Sequence, residues 1–160
     1  MSAIISLSYH VQAPPALLFD LARSIDVHEA STSQTGEEAI AGKVTGLLDH
    51  HDEVTWRAKH FGVWQTLSSR ITQFDPPHHF RDSMVHGAFK RFDHDHFFYE
   101  RPDGSTMMED VFNYSAPLGP LGWLAERLFL TTYMTRFLNE RNLVVVDLAE
   151  SGRWRDYLPE

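Results

Sequence analysis

The stretch from His94 to Asp110 reads HDHFFYERPDGSTMMED, with two histidines at alternate positions before a turn and two carboxylates closing the segment beyond it. Imidazole changes charge near neutral pH, and a carboxylate beside it stabilises the cation and fixes which ring nitrogen carries the hydrogen. Such groups serve as general acid and base, as ligand anchors, or as polar pairs satisfied within a core. The face they share decides between these roles. Pro102, Asp103 and Gly104 fit a three-residue hairpin loop, a type I turn followed by glycine in the left-handed conformation. That loop sets Arg101 opposite Ser105, and hence Phe98 opposite Met108, His96 opposite Asp110, His94 opposite Phe112 and Phe92 opposite Tyr114. The other face carries Arg91, Asp93, Asp95, Glu109 and Asn113, which favour water. The first set is therefore expected to point into the interior.

His96 and Asp110 then form a partly buried cross-strand pair. Three readings fit it: a polar pair satisfied in the core, a pair that orients a ligand, or a catalytic acid and base. A metal centre is a fourth, because His94, His96 and Glu100 share one parity. His-x-His followed by a glutamate, with Gly87 upstream, resembles the first motif of the cupins. The second cupin motif, a glycine- and proline-bearing hairpin with another histidine, has no counterpart, and a long terminal helix does not suit that barrel. Neither a metal nor a cofactor is therefore expected.

Several elements must position these groups. Ile4 to Gln12 alternates apolar and polar residues and predicts a strand. Pro14 and Pro15 start a short helix, ALLFDLARS, and SIDVHEAS continues as a second. Ser31 to Gly36 is loop chemistry. Glu37 to Leu48, broken by Gly42 and Gly46, reads as one bent strand, and further strands follow at 53–61, 63–74, 80–86, 89–100 and 105–115. Beyond the PLGPLG run at 117–122 the chain reads as one helix to about Glu150, with Leu130, Met134, Phe137, Val145 and Leu148 on one stripe. A long amphipathic helix that follows a meander of strands must lay that stripe on the sheet. Residues 1–150 form one domain in this reading, and 151–160 form a loose tail.

The 160 residues carry a net charge of −8, which argues against nucleic acid and against anionic membrane surfaces, since both are bound through an excess of Lys and Arg. Absence of cysteine excludes disulfides and thiolate metal sites and fits a cytoplasmic address. The N-terminus has neither the basic region nor the apolar length of a signal peptide, and no apolar run approaches the ~20 residues of a membrane span.

The order strand, two short helices, six strands and long helix, over residues 3–150, resembles the START-like, SRPBCC superfamily of polyketide cyclase/dehydrase and lipid-transport domains. More closely, the chain is similar to a bacterial branch described as cyclase/dehydrase-like. The likeness rests on Phe80-x-Asp82, Gly87-Ala88-Phe89, Phe92-x-His94-x-His96-x-Phe98, Gly104, Asp110, Tyr114 and the PLGPLG run. Phe92 and Ala88 depart from the pattern, which has tryptophan and proline there; neither touches the polar pair. The resemblance implies an α+β helix-grip fold: a curved antiparallel sheet of about seven strands wrapped around the C-terminal helix, with a cavity between them. Members bind lipids, hormones and polyketides, and some catalyse aromatic ring closure, so function has to be argued from the site.

The expected function is binding of a small hydrophobic ligand, as carrier or sensor, in a pocket lined by Trp56, Leu67, Met84, His94, His96, Asp110, Phe112, Met134 and Phe137. The enzyme alternative is a cyclase or dehydratase with His96 and Asp110 as acid and base. A protein-interaction module is the third, because Phe97 and Tyr99 point outward. Asp82 shares the inward parity and needs a partner, for which His94 is a candidate. His28 either closes the cavity mouth or is solvated. Arg141, at the edge of the helical stripe, is expected to snorkel to solvent, with neutralisation of Asp82 or of a ligand carboxylate as the alternative. The adjacent pairs His50–His51 and His78–His79 are expected on the surface.

Overall fold

The computed structural model describes residues 2–159, without the side chains of residues 123, 126 and 127. Strand β1 (Ala3–Val11) leads into helix α1 (Pro15–Ala22), where proline occupies the first turn and loses no hydrogen bond by lacking an N–H. Helix α2 (Ile25–Ser31) follows at once, because the Ser24 hydroxyl accepts the Val27 amide at 3.2 Å and caps it. Six more strands then run antiparallel: β2 (Glu38–Gly42), β3 (Glu53–His60), β4 (Val63–Asp75), β5 (His79–His86), β6 (Arg91–Glu100) and β7 (Thr106–Ser115). They form one sheet in the order β1-β7-β6-β5-β4-β3-β2.

The bent strand expected to reach Leu48 stops at Gly42. That glycine is left-handed (φ 72°), and a Cβ on it would stand 2.4 Å from the Glu53 carbonyl oxygen, so the chain can turn there only without a side chain. Between Gly42 and β3, Leu47 forms an isolated bridge to Ser24. The PDG hairpin behaves as its residues require. Gly104 takes φ 82°, the Arg101 amide donates to the Ser105 carbonyl at 2.8 Å, and every predicted β6–β7 partner pairs as expected.

The helix beyond residue 117 is less regular than its pattern. It begins as α3 (Gly119–Ala125), passes through a π-helical turn (Glu126–Leu130) and continues as α4 (Thr131–Ser151). Its buried face carries Met134, Leu138, Arg141, Asn142, Val145, Leu148 and Ala149. Arg141 is thus corrected from a solvent-reaching edge residue to a buried one, 6% exposed. The tail is corrected as well. Gly152, left-handed, ends α4; a 3₁₀ turn (Arg153–Asp156) follows, and Leu158 packs into the core among Trp154 and Tyr157.

Two apolar clusters fill the space between sheet and helices. One gathers α1, α2 and the C-terminal half of α4 around Leu18, Phe19, Phe80, Phe98, Val145 and Leu148. The other gathers β1, β6, β7 and the first half of α4 around Ile5, Phe92, Phe112, Tyr114, Met134 and Leu138. His96 stacks on Phe80 of the first cluster and His94 meets Phe112 of the second edge-on, so the histidines mark the seam. No helix among the described residues is long and apolar enough to cross a membrane.

Gly104 has open space where a Cβ would stand, so its role is conformational alone. Gly104→Ala is expected to lower stability by about 1–2 kcal/mol in denaturant melts, the cost of a left-handed alanine, and Gly104→Asn by less. Equal losses for the two variants would mean that the turn does not need that conformation.

Candidate functional site

Asp110, on β7 and 3% exposed, is the centre of the polar seam. Its Oδ1 lies 3.0 Å from His96 Nδ1, and its Oδ2 lies 3.1 Å from His94 Nε2. Asn142 of α4 donates its amide to the same Oδ2 at 2.9 Å, and Arg141 stands 3.9 Å away. An ionised carboxylate can only accept, so the ring nitrogens facing Asp110 carry the hydrogens: Nε2 on His94 and Nδ1 on His96. The opposite nitrogens turn to Asp82 on β5, with His96 Nε2 at 3.2 Å and His94 Nδ1 at 3.7 Å from its Oδ1. Period-2 pleating makes this geometry: His94 and His96 share a face of β6, with Asp110 beside them on β7 and Asp82 beside them on β5.

Electrostatics follow from burial and charge. Burial alone would push the Asp110 carboxyl up, but the adjacent His96 and His94 hold it well below the usual carboxylate range. Asp82 is likewise lowered against the effect of burial, by its contact with His96, by His94 and by Arg141. The two histidines diverge. Burial and the neighbouring His96 lower His94, whereas Asp110 and Asp82 outweigh burial and raise His96. Neighbouring titratable groups pushed in opposite directions are what an acid and base pair requires.

A cavity of about 330 Å³ opens beside this seam, between the sheet and α3–α4. Of the residues assigned to it from the sequence, Trp56, Leu67, His94, Phe112, Met134 and Phe137 line it; Met84, His96 and Asp110 do not. His96 and Asp110 stand one layer behind, with Asp82 and His94 between them and the cavity. Met84 packs sideways against the second apolar cluster. Glu100, the third member of the sequence pattern considered for a metal, is exposed and pairs with Thr106 two β6 positions of the same face beyond His96.

A second polar group lines the cavity, and the sequence pattern does not assemble it. His28 stacks on Trp56 with ring centres 4.1 Å apart, and its Nε2 lies 3.1 Å from Glu37 Oε2, without hydrogen-bond alignment. His28 is therefore a wall residue and not a solvated one. His60 meets the Tyr133 hydroxyl at 2.7 Å beside them. Burial would raise the Glu37 carboxyl, yet the His28 charge keeps it low. Asn142 and Arg141 are inward groups that the helical pattern conceals, because polar residues in an apolar stripe read as its solvent edge. On the outer face of the sheet, Asp95 is covered by a two-point contact from Arg81 at 2.8 Å and by His79 at 2.7 Å, so His79 is corrected from free surface to a partly buried partner. His50 and His51 remain exposed.

No protein-family model matches the chain, and no curated protein matches it. Solved structures do. The TTHA0849 protein of Thermus thermophilus superposes with a TM-score of 0.75 at 14% identity, over 94% of this chain and 99% of its own. Major latex-like protein 151 of Panax ginseng gives 0.66 at 13% identity, over 99% of both chains. SA2116 of Staphylococcus aureus gives 0.71 at 10% identity, over 96% of both. These neighbours are Bet v 1/START-like (SRPBCC) proteins, and the chain has their helix-grip fold.

Removing one member of a buried polar pair leaves the other without its partner, at a cost of roughly 1–3 kcal/mol. Asp110→Ala and His96→Ala are each expected to destabilise the protein by about that amount in denaturant melts. The double variant should cost less than the sum, because neither of the two then leaves the other orphaned, while His94, Asn142 and Asp82 each lose one partner either way. Strict additivity would show that the two side chains do not interact.

Proposed function

We propose that the protein encloses a small, mostly apolar ligand between sheet and helix and acts as a carrier or sensor. The observation that carries this reading is the cavity itself. Its volume falls within the ordinary range for small-molecule sites, its walls are largely aromatic and aliphatic, and a few polar groups converge on it from two sides. The helix-grip fold typically holds hydrophobic ligands, which supports the reading. Asp82, His94 and Arg141 offer one end of the ligand a charged, hydrogen-bonding patch; Glu37, His28 and Tyr133 offer another. A ligand with an apolar body and oxygen functions at its ends matches that distribution, as a polyketide-like or lipid-like molecule does.

A second reading, dehydration or aldol cyclisation of such a molecule, is favoured by His94 and Asp82 standing side by side on the cavity wall, an imidazole lowered by burial beside a carboxylate kept ionised. Its contact groups differ from those expected from the sequence. His94 and Asp82 would meet the substrate, and Asp110 with His96 would orient them from behind.

Native mass spectrometry of freshly purified protein and displacement of 1-anilinonaphthalene-8-sulfonate test the carrier reading. Met134→Trp projects an indole from α4 into the cavity. Probe affinity is expected to fall at least ~10-fold while the variant remains folded, since overpacking of a wall beside free space costs little. Undiminished binding in a folded Met134→Trp protein would place the probe elsewhere and contradict the proposal.

A further inference from the structure

Asp82, His94 and His96 converge on one point of the cavity wall, each turning one ligating atom to it. Asp110 takes the hydrogens of His94 Nε2 and His96 Nδ1, so in the neutral rings His94 Nδ1 and His96 Nε2 carry lone pairs, and only a protonated His96 donates Nε2–H to Asp82 across their 3.2 Å contact. Both nitrogens face the Asp82 carboxylate, His96 Nε2 at 3.2 Å within hydrogen-bond reach and His94 Nδ1 at 3.7 Å outside it. With both rings neutral, three acceptors face one another, their ligating atoms all within 4.8 Å. One added proton satisfies one imidazole nitrogen and leaves the other against the carboxylate. Two protons place two imidazolium rings with centres 4.0 Å apart. The charges favour a further cation at this point, whether a proton on His96 or a metal ion, because Asp82 and Asp110 carry two negative charges beside the guanidinium of Arg141.

We infer that Asp82 Oδ1, His94 Nδ1 and His96 Nε2 form a site for one divalent first-row transition ion whose remaining coordination positions open toward the cavity. Two imidazoles and one carboxylate suit zinc, iron(II) or cobalt(II), whereas calcium and magnesium take oxygen ligands. Metal–ligand bonds of about 2.0–2.2 Å set neighbouring ligand atoms about 3–3.5 Å apart. The carboxylate–imidazole separation of 3.2 Å lies within that range and that of 3.7 Å just above it, so a closing of His94 toward the other two groups loads the site. Asp110 is then the outer carboxylate of both histidines, fixing their tautomers and raising their basicity, and Asn142 holds Asp110 in turn. Within the sequence, Glu100 is the apparent third member of the His-x-His pattern, which hides the motif; the neighbouring strand supplies Asp82 instead. Occupancy of the cavity by an organic ligand is not required, so this site stands or falls separately from the proposed function.

Chelator-treated full-length protein titrated with Co²⁺ at about pH 7.5, where unpaired imidazoles are neutral, tests the site. One ion per chain is expected, with the visible absorption of low-symmetry cobalt. Asp82→Ala should weaken uptake at least ~10-fold, whereas removal of the exposed His50 and His51 together should leave it unchanged. Proton NMR of the cobalt form supplies a readout that needs no variant. Two hyperfine-shifted, slowly exchanging ring N–H signals are expected, from His94 Nε2 and His96 Nδ1 against Asp110. Absence of uptake, uptake indifferent to Asp82→Ala, or cobalt protein without those two signals would overturn the inference.

Discussion

The arrangement depends on one buried carboxylate. Asp110 cannot stay ionised between two apolar clusters unless every lone pair in reach meets a donor, because a desolvated charge costs several kcal/mol when unpaired. Its donors come from two layers of the fold, His94 and His96 from the adjacent strand and Asn142 from the long helix. The contact therefore does more than satisfy a charge. It pins α4 to β7 at a set height and rotation, and it dictates which nitrogen of each histidine is free to face Asp82 and the cavity. Arg141, one residue before Asn142, comes inward with it, and its guanidinium spans from Asp110 to the Ala22 carbonyl at the end of α1.

A seam of this kind divides labour within the interior. On one side, α1 and α2 close over Phe80, Phe98 and the last turns of α4. On the other, the sheet curves away from α3 and the first half of α4, and the cavity remains. An apolar replacement of the seam would pack more cheaply than the ions do, since buried ion pairs seldom outperform well-packed hydrophobic residues. Four titratable groups and an amide at that place are therefore not accounted for by packing alone. The same logic applies on a smaller scale to His28 and Glu37, a pair placed against Trp56 in the opposite wall.

Local rules make part of this legible in the sequence. Proline, aspartate and glycine at 102–104 define a turn, the turn defines a register, and period-2 alternation then brings His96 to Asp110 without further information. The long-range parts are not legible. Asp82 reaches the histidines only through the pairing of β5 with β6, whose connection at 87–90 does not fix a register by residue type, and β4 meets β5 with two irregularities. Arg141 and Asn142 look like the solvent edge of the helix, because a stripe pattern assigns polar residues to water. Only a partner on a distant strand reverses that assignment. Leu158 and Trp154 escape placement for the same reason: a polar terminal segment reads as loose until the groove that receives it is known.

The tautomers of the two histidines report on the central contact most directly. Long-range ¹H–¹⁵N correlation spectra of uniformly labelled protein, followed upward in pH until neither ring titrates further, distinguish a hydrogen on Nε2 from one on Nδ1. If Asp110 organises the seam, His94 is found as the Nε2–H tautomer and His96 as the Nδ1–H tautomer, each in a single form, and Asp110→Asn disturbs both. Rapidly averaged tautomers, or the same tautomer on both rings, would show that Asp110 does not hold the pair and would contradict the account.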